Sequence, residues 1–190
     1  MKKEKALEIF EKSGALLNGH FLLTSGLHSP HYFQCARVLQ YPQYTELFCL
    51  EIVKNFKNEK IDCVLSPAIG GLIVGQECAR LLGCRAMFAE RESSVMSLRR
   101  GFELKRDERV LVVEDVVTTG GSVLEVVELV KGAGAEVAGV GFIVDRSGGK
   151  KIFTEPAYSV FQMDVQTYQA DQCPLCAQGI SVVKPGSRKL

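Results

Sequence analysis

The stretch VLVVEDVVTTGGSVL, residues 110–124, decides the fold class of this chain. Its first four residues are apolar and lead directly into the adjacent carboxylates Glu114 and Asp115. An unbroken apolar run of this kind is typical of a parallel strand that is buried on both faces of a sheet. We therefore expect the two acids where this strand leaves the sheet, and charges at that position indicate a binding site rather than a core.

The segment TTGGS, residues 118–122, has the composition of a phosphate-binding loop. Glycine lets the backbone approach an anion, the hydroxyls donate hydrogen bonds, and a helix predicted over 121–132 presents free N–H groups at its positive end. Because Glu114 and Asp115 would repel that phosphate, we expect them to face neutral hydroxyls nearby or a metal ion held through water. A ribose 5-phosphate satisfies both requirements. An ordinary strand, turn and helix with a solvated acidic corner is the alternative.

This segment resembles the phosphoribosyl-diphosphate (PRPP) binding motif of the type I phosphoribosyltransferases, in which hydrophobic residues precede two acids and a TTGG-like loop. Two competing phosphate motifs, G-x-x-x-x-G-K-[ST] and G-x-G-x-x-G after a strand, do not occur in the sequence. The residues that the resemblance assigns to PRPP are Glu114, Asp115, Val116, Val117, Thr118, Thr119, Gly120, Gly121 and Ser122.

Composition and charge restrict the class of protein. The chain has 190 residues, of which 46% are hydrophobic and 24% charged, which is typical of one globular domain over 1–190 with a sizeable core. A formal net charge of +1 gives no general reason to expect nucleic acid or a membrane as a partner. No apolar run approaches membrane-spanning length. Seven cysteines, an odd number in mostly apolar surroundings, indicate reduced thiols in a cytoplasm.

Strands and helices are expected to alternate along the chain. Helices are predicted over 3–13 and 42–58, and hairpin-like strands outside the main sheet are predicted between them. The later predicted elements are a strand at 62–66, a helix at 71–82, strands at 85–89 and 110–113, a helix at 121–132 and a strand at 137–145. This order predicts an α/β fold with a parallel sheet flanked by helices. Ligands of such sheets bind at the carboxyl ends of the strands.

The turn SPAIGG, residues 66–71, follows one of these strands and forms a second candidate anion pocket. One phosphate loop cannot hold both ends of PRPP, so this turn suits the diphosphate end. Taken alone it is an ordinary strand-to-helix turn. In the resembling family the equivalent turn binds pyrophosphate and often contains a strained peptide bond, which would fall at Ala68-Ile69. PRPP contacts are therefore expected from Ala68, Ile69 and Gly70.

Residues 90–108 are dense in charge and show little apolar periodicity. A structureless stretch of that length inside a domain is usually functional or disordered, and a solvated surface loop is the alternative. The functional interpretation is a mobile flap that carries cations over the diphosphate and excludes water from an activated ribose. The candidate cations are Arg91, Arg99, Arg100 and Lys105.

Three segments together are similar to the orotate phosphoribosyltransferase family: residues 14–39, the acid pair with TTGGS, and Asp145-Arg146. The resemblance implies a small hood made of about 14–40 and the C-terminal segment, and transfer of the phosphoribosyl group of PRPP to orotate. It also implies Mg²⁺ bound through PRPP with Asp115 or Glu114, and a homodimer in which the flap reaches the neighbouring site.

The same resemblance assigns the orotate contacts to Thr118, Arg146, Tyr32 and Phe33. The planar fork of Arg146 matches a carboxylate, although an arginine after a strand is more often a surface ion pair. An aromatic lid suits a flat conjugated ring, and core packing is the alternative for Tyr32 and Phe33.

Two positions depart from the family pattern. Many members carry Lys where this chain has Thr24, and the flap pattern R-K-x-x-K-x-H is matched here only at Arg91. Because no His is present in the flap, we expect its arginines to stabilise charge rather than to donate a proton. A phosphoribosyltransferase for a purine or another base, and a non-catalytic PRPP-sensing regulator, are the alternative functions.

Cys173 and Cys176 form a C-x-x-C pair near the C-terminus. Two thiolates bind zinc only when two further ligands reach them. A second C-x-x-C is absent from the sequence, and His20, His28 and His31 lie far away along it. We therefore expect a structural or idle pair rather than a zinc or redox site.

Overall fold

The computed structural model of the chain describes residues 1–23, 25–163 and 166–185, which form two β-sheets and their flanking helices. The strands are β1 (Leu16–Leu22), β2 (His28–Phe33), β3 (Cys63–Pro67), β4 (Arg85–Glu92), β5 (Val95–Leu98), β6 (Arg109–Val117), β7 (Glu136–Asp145) and β8 (Ala157–Gln162). The helices are α1 (Lys3–Lys12), α2 (Ala36–Leu39), α3 (Pro42–Asn55), α4 (Gly71–Leu82), α5 (Gly121–Gly132) and α6 (Pro174–Ala177). None of these helices combines the length and apolar character that a membrane span requires.

The main sheet has the strand order β5-β4-β3-β6-β7-β8. All neighbouring pairs are parallel except β4 and β5, which are antiparallel. In β6, Leu111 and Val113 pack in a cluster with α1, α3 and α4, whereas Val110 and Val112 pack in a second cluster with α5. Helices therefore cover both faces, which explains the unbroken apolar run and confirms the predicted α/β sheet.

The sequence predicts α4 and α5 with the bounds that the structure has. The helix predicted to reach residue 58 ends earlier, because α3 stops at Asn55. The elements that were not predicted include α2 and β8. The helix has only four residues, and the strand lies at an edge of the sheet with a weak alternation of buried and exposed residues, so neither gives a clear periodic signal.

The prediction that 90–108 is structureless is wrong for its first part. β4 continues to Glu92, and β5 returns beside it from Val95. Ser93 and Ser94, at the tip, have φ values of 49° and 70°, which is the backbone geometry of a tight two-residue hairpin turn. Charged side chains at this sheet edge hide the strand signal in the sequence. Residues 99–108 consist of turns and irregular backbone.

The predicted hairpin is confirmed as a separate two-stranded sheet of β1 and β2. Residues from the C-terminal segment extend it on both sides. Leu22 N–H donates to the carbonyl of Val183 at 2.9 Å, and His28 exchanges two backbone hydrogen bonds of 2.9 Å with Tyr168. The two ends of the chain are thus joined by backbone hydrogen bonds.

Two glycines of β7 allow α3 to approach the sheet closely. A Cβ added at Gly139 would lie 2.2 Å from a ring carbon of Phe56, and one at Gly141 would lie 2.4 Å from Ile52. Both neighbours are buried core residues. Neither contact leaves space for a methyl group, so the identity of these residues follows from packing rather than from backbone conformation.

We expect Gly139→Ala to lower the free energy of unfolding by about 1–3 kcal/mol, because the new methyl group overpacks the core against Phe56. Thermal denaturation would show a lower Tm, by roughly 2–10 °C for a domain of this size. Gly132→Ala is the matched control, because no atom lies within 4 Å of the added Cβ at that helix end. Equal Tm values for the two variants would contradict this packing.

Candidate active site

The acid pair lies where β6 extends beyond one of its neighbours. The pairing of β6 with β3 ends at Val112, whereas the pairing with β7 continues to Val117. Glu114 and Asp115 are therefore inside a strand, and the prediction that they follow its end is wrong on the β7 side. On the β3 side the sheet does open at the acids, and the turn after β3 occupies that space.

The second predicted loop touches the acid pair directly. A Cβ added at Gly70 would lie 2.7 Å from Oδ1 of Asp115, and one at Gly71 would lie 3.1 Å from Oε1 of Glu114. Only glycine fits between this backbone and the carboxylates. The peptide bond between Ala68 and Ile69 is cis, at the position that the family resemblance indicated. The two sequence motifs therefore form one continuous site.

The TTGGS segment forms the entry to α5. Gly120 has φ +75°, a left-handed conformation that favours glycine, and its carbonyl accepts the N–H of Leu124 at 2.9 Å in the first helical turn. Thr118 and Thr119 are exposed. The first N–H groups of a helix lack acceptors within it, so this twelve-residue helix begins with donors available to an anion.

Burial controls the charge state of the two acids. Burial is the main cause that raises the pKa of Glu114 to about 9, and the negative charge of Asp115 is the second. Burial also raises the pKa of Asp115. Backbone N–H groups hold both side chains, because that of Asp115 donates to Glu114 at 2.9 Å and that of Val116 donates to Asp115 at 2.7 Å. The pair is thus fixed in place and favours hydroxyl donors or a cation as partners.

We expect Glu114→Gln to stabilise the ligand-free protein at neutral and higher pH. Because its pKa is raised in the folded state, Glu114 retains a proton there that the unfolded chain loses above about 4.5, so its contribution to stability falls as the pH rises toward 9. The variant has no such proton, and its free energy of unfolding should exceed that of the parent by roughly 1–3 kcal/mol at pH 8.

Thermal denaturation from pH 5 to pH 9 measures this effect. The difference in Tm between the Glu114→Gln variant and the parent should widen as the pH rises. Glu128→Gln is the control, because the side chain of Glu128 is 73% exposed and its removal should leave the pH dependence unchanged. A constant difference for the Glu114 variant would contradict the raised pKa.

Arg146 directly follows β7, the strand that pairs with β6 up to Val117. Its backbone N–H donates to the carbonyl of Val117 at 2.7 Å. Its Nε is buried and has no hydrogen-bond partner among the described residues. Burial lowers the pKa of this guanidinium, and the nearby Tyr32 partly opposes that shift. A buried guanidinium with an unused donor is a natural receptor for an anionic ligand.

The two predicted aromatic residues have different surroundings. Tyr32 is partly buried and near Arg146. Phe33 is 4% exposed, and its ring packs edge-on against Phe10 with centroids 4.8 Å apart. The expectation that Phe33 covers a ligand is therefore wrong, since it is a core residue. Consecutive strand residues point to opposite faces, so only one of the two can face the site.

The flap cations are paired with acids in this structure. Arg91 lies 2.7 Å from Glu125 of α5, and Arg100 lies 2.7 Å from Glu90. Arg99 is paired in the same way with Glu92 at 3.2 Å. The structure therefore gives these guanidinium groups carboxylate partners in the flap and in α5 rather than the acid pair. Thr24 lies outside the described residues.

Comparisons with known proteins agree with this geometry. A family model described as a phosphoribosyl transferase domain matches residues 48–174. The orotate phosphoribosyltransferase of Caldanaerobacter subterraneus subsp. tengcongensis is 60% identical over 190 residues, all of both chains. That of Desulforamulus reducens is 54% identical, also over all of both chains. The chain belongs to the orotate phosphoribosyltransferase family.

Solved structures support the same placement. The crystal structure of orotate phosphoribosyltransferase from Aeropyrum pernix superposes on this chain with a TM-score of 0.70 at 25% identity, covering 82% of this chain and 92% of that one. This member of the orotate phosphoribosyltransferase family therefore has the type I phosphoribosyltransferase fold, as the acid pair and the TTGG-like loop indicated. The mixed sheet, parallel apart from β5, is flanked by helices on both faces.

One cluster in this orotate phosphoribosyltransferase family member was missed at the sequence level. His20 and His28 lie beside Cys173 and Cys176, so the expectation that no further ligand reaches the C-x-x-C pair is wrong. Hydrogen bonding between the C-terminal segment and the β1–β2 hairpin brings them together. Two histidines flanking a hairpin turn, combined with a C-x-x-C, were the available signal in the sequence.

Proposed function

We propose that this family member transfers the 5-phosphoribosyl group of PRPP to orotate, giving orotidine 5′-monophosphate and pyrophosphate in pyrimidine biosynthesis. The observation that carries the proposal is the close approach of the second anion loop to the acid pair. A Cβ added at Gly70 would lie 2.7 Å from a carboxylate oxygen of Asp115, and one added at Gly71 would lie 3.1 Å from a carboxylate oxygen of Glu114. The names of the full-length relatives support orotate as the acceptor.

PRPP would be held at three points. The N–H groups and hydroxyls of residues 118–122 would bind the 5-phosphate, and the turn 68–70 would bind the diphosphate. Asp115 and Glu114 would accept hydrogen bonds from the ribose hydroxyls between them. Because hydroxyl donors favour the ionised form of a carboxylate, binding would offset the burial that raises the pKa of both acids.

Orotate would bind on the side of the site where Arg146 follows β7. The unused Nε of Arg146 and the rest of its guanidinium would bind the carboxylate of the base in two parallel hydrogen bonds. Tyr32 would cover one face of the ring, and Thr118 would contact its edge. The hairpin and the C-terminal segment would then act as a hood over the base.

Transfer breaks the bond between C1 of the ribose and the diphosphate oxygen, whose electron pair leaves with pyrophosphate. A ring nitrogen of orotate forms the new bond to C1 from the opposite face. Asp115 and Glu114 would lie under the ribose and would stabilise the positive charge that develops on it. The charge of orotate at neutral pH is on its carboxylate, so the attacking ring nitrogen loses its proton as the new bond forms. The departing pyrophosphate is basic enough to accept that proton, directly or through water.

Mg²⁺ fits the donor set of this site. Burial, their mutual interaction and backbone hydrogen bonds shift the pKa values of the two acids. No Lys or Arg of the described chain contributes to these shifts, so the carboxylates have no cationic side chain as a partner that would compete with a metal ion. Asp115 or Glu114 would hold the ion, directly or through water. When bound with PRPP, Mg²⁺ supplies positive charge to the departing diphosphate.

The flap is proposed to close over the diphosphate. Arg91, Arg99 and Arg100 would leave their present carboxylate partners and bind the leaving group, in their own site or in that of a second copy in a homodimer. Closure would also exclude water from the activated ribose. A cytoplasmic location, expected from the cysteine usage, completes the proposal.

Incubation of the purified protein with PRPP, Mg²⁺ and orotate tests this function. Orotate absorbance should fall, and orotidine 5′-monophosphate and pyrophosphate should form in equal amounts. Adenine and hypoxanthine are the comparison substrates, because they lack the carboxylate that Arg146 would bind. Turnover of a purine alone would indicate the other transferase class, and PRPP binding without turnover would indicate a regulator.

A further inference from the structure

A four-residue cluster joins the hairpin to the C-terminal segment, outside the candidate active site. It contains His20 of β1, His28 of β2, Cys173 at the start of α6 and Cys176 one turn later. One ligand atom from each residue, two ring nitrogens and two sulfurs, lies within 4.8 Å of all the others. We propose that this cluster is a structural zinc site of the Cys₂His₂ type.

Three of the interatomic distances match tetrahedral coordination. Bonds of about 2.3 Å to sulfur and about 2.0–2.1 Å to nitrogen give edges of roughly 3.3–3.8 Å between neighbouring ligand atoms. Sγ of Cys173 lies 3.5 Å from Nε2 of His20, and Sγ of Cys176 lies 3.4 Å from Nδ1 of His28. The second distance from Cys176, to His20, is 3.8 Å. The two ring nitrogens are closer, at 2.8 Å, and need to separate by only about 0.5 Å.

The outer contacts orient one of the ligands. Nδ1 of His20 lies 2.7 Å from the carbonyl oxygen of Ile180, which can only accept a hydrogen bond. The proton of the neutral ring is therefore on Nδ1, and Nε2 presents its lone pair to both sulfurs. A backbone carbonyl in this position is the usual outer partner of a metal-binding histidine. The cluster thus contains an oriented ligand and not only a group of polar side chains.

Burial distinguishes this cluster from a chance surface grouping. His20, His28 and Cys173 are 2%, 8% and 4% exposed, and Cys176 is the ligand that faces solvent. Two histidines and two cysteines at tetrahedral spacing favour zinc over harder, oxygen-preferring ions. Binding would release the thiol protons and leave two thiolates balanced by the ion. A disulfide between the two cysteines is the competing chemistry.

Such a site would stabilise the association of the two chain ends. Backbone pairs at Phe21–Val183 and His28–Tyr168 are among the contacts that join the segment 166–185 to the hairpin. Its short helix α6 has no fully buried side chain of its own. A metal ion bonded to both the hairpin and the C-terminal segment would link residues that lie far apart in the sequence. Because the ligands come together only when the chain is folded, the bonds would stabilise the folded state.

Metal analysis of tag-free protein, expressed with zinc and washed with a mild chelator, tests the proposal. We expect about one zinc per chain, and Co²⁺ in its place should give the sulfur-to-metal charge-transfer band of a thiolate ligand. Full chelation should release the zinc and lower Tm. Wild-type protein without bound zinc after growth in zinc, or with a Cys173–Cys176 disulfide in place of the metal, would overturn the proposal.

Matched variants locate the metal. Cys176→Ser and His28→Ala should each lose most of the zinc and the thiolate band. Cys84→Ser and His31→Ala should keep both, because Cys84 is a partly buried thiol outside the cluster and His31 contacts Asn18 instead. Zinc retained by both cluster variants would contradict the assignment. Phosphoribosyl transfer is measured separately, so its absence would not bear on the metal.

Discussion

Replacing Asp115 by Asn is expected to lower the turnover of phosphoribosyl transfer by a factor of about 10² or more. The carboxylate is partly buried, fixed by the N–H of Val116, and adjacent to the backbone of Gly70. The amide keeps the shape of the side chain but removes the negative charge that stabilises the developing positive ribose. Steady-state kinetics with PRPP and orotate measures the loss.

The fold should survive this change, because an uncharged side chain is easier to bury than a carboxylate. Circular dichroism and Tm of the Asp115→Asn variant should match or exceed those of the parent. Asp62→Asn is the matched control. Asp62 lies just before β3, at the opposite end of the sheet, where it accepts the backbone N–H of Arg109. Near-normal turnover of the Asp115 variant would refute its role.

Replacing Arg146 by Ala is expected to reduce kcat/KM for orotate by roughly 30- to 1,000-fold, equivalent to about 2–4 kcal/mol. The guanidinium is largely buried and has an unused donor, so its removal leaves the carboxylate of the base without a partner. Arg146→Lys should recover only part of the loss, because an ammonium group keeps the charge but lacks the two-pronged geometry.

The effect should be confined to the base. The affinity for PRPP, measured by calorimetry without orotate, should remain within about twofold of the parent, which is below 0.5 kcal/mol. Arg106→Ala, a change at an arginine that packs near Gly134 away from the site, should leave both substrates unaffected. An Arg146 variant with normal orotate kinetics would contradict the assignment of Arg146 to the carboxylate of orotate.

Much of the fold could be predicted because its strands and helices carry strong local signals. The run at 110–113 is continuous since both faces are covered, and glycines delimit α4 and α5. β4 was predicted too short, because its last residues are charged and pair across to β5. β8 lacks a strong pattern of its own, and its place is determined by pairing with β7.

The candidate site was predictable only where its residues are close in sequence. Glu114, Asp115 and the TTGGS loop form one motif, and the family resemblance supplied Arg146. The contact of Gly70 with Asp115 depends on the packing of β3 beside β6, which no local pattern reports. Phe33 was misassigned because the alternation of strand faces was not applied to it and Tyr32. The histidines of the zinc cluster meet their cysteines across about 150 residues.

The ion pairs of the flap have a consequence for the energetics of substrate capture. Each arginine that would reach the diphosphate first leaves a carboxylate, so closure exchanges one anionic partner for another and the number of charge contacts changes little. The free energy that favours closure would therefore come from the higher charge density of the diphosphate and from the loss of solvent around it. In the proposed closure, the exposed carboxylates would compete with the diphosphate for the arginines, which would favour reopening of the flap and release of the product.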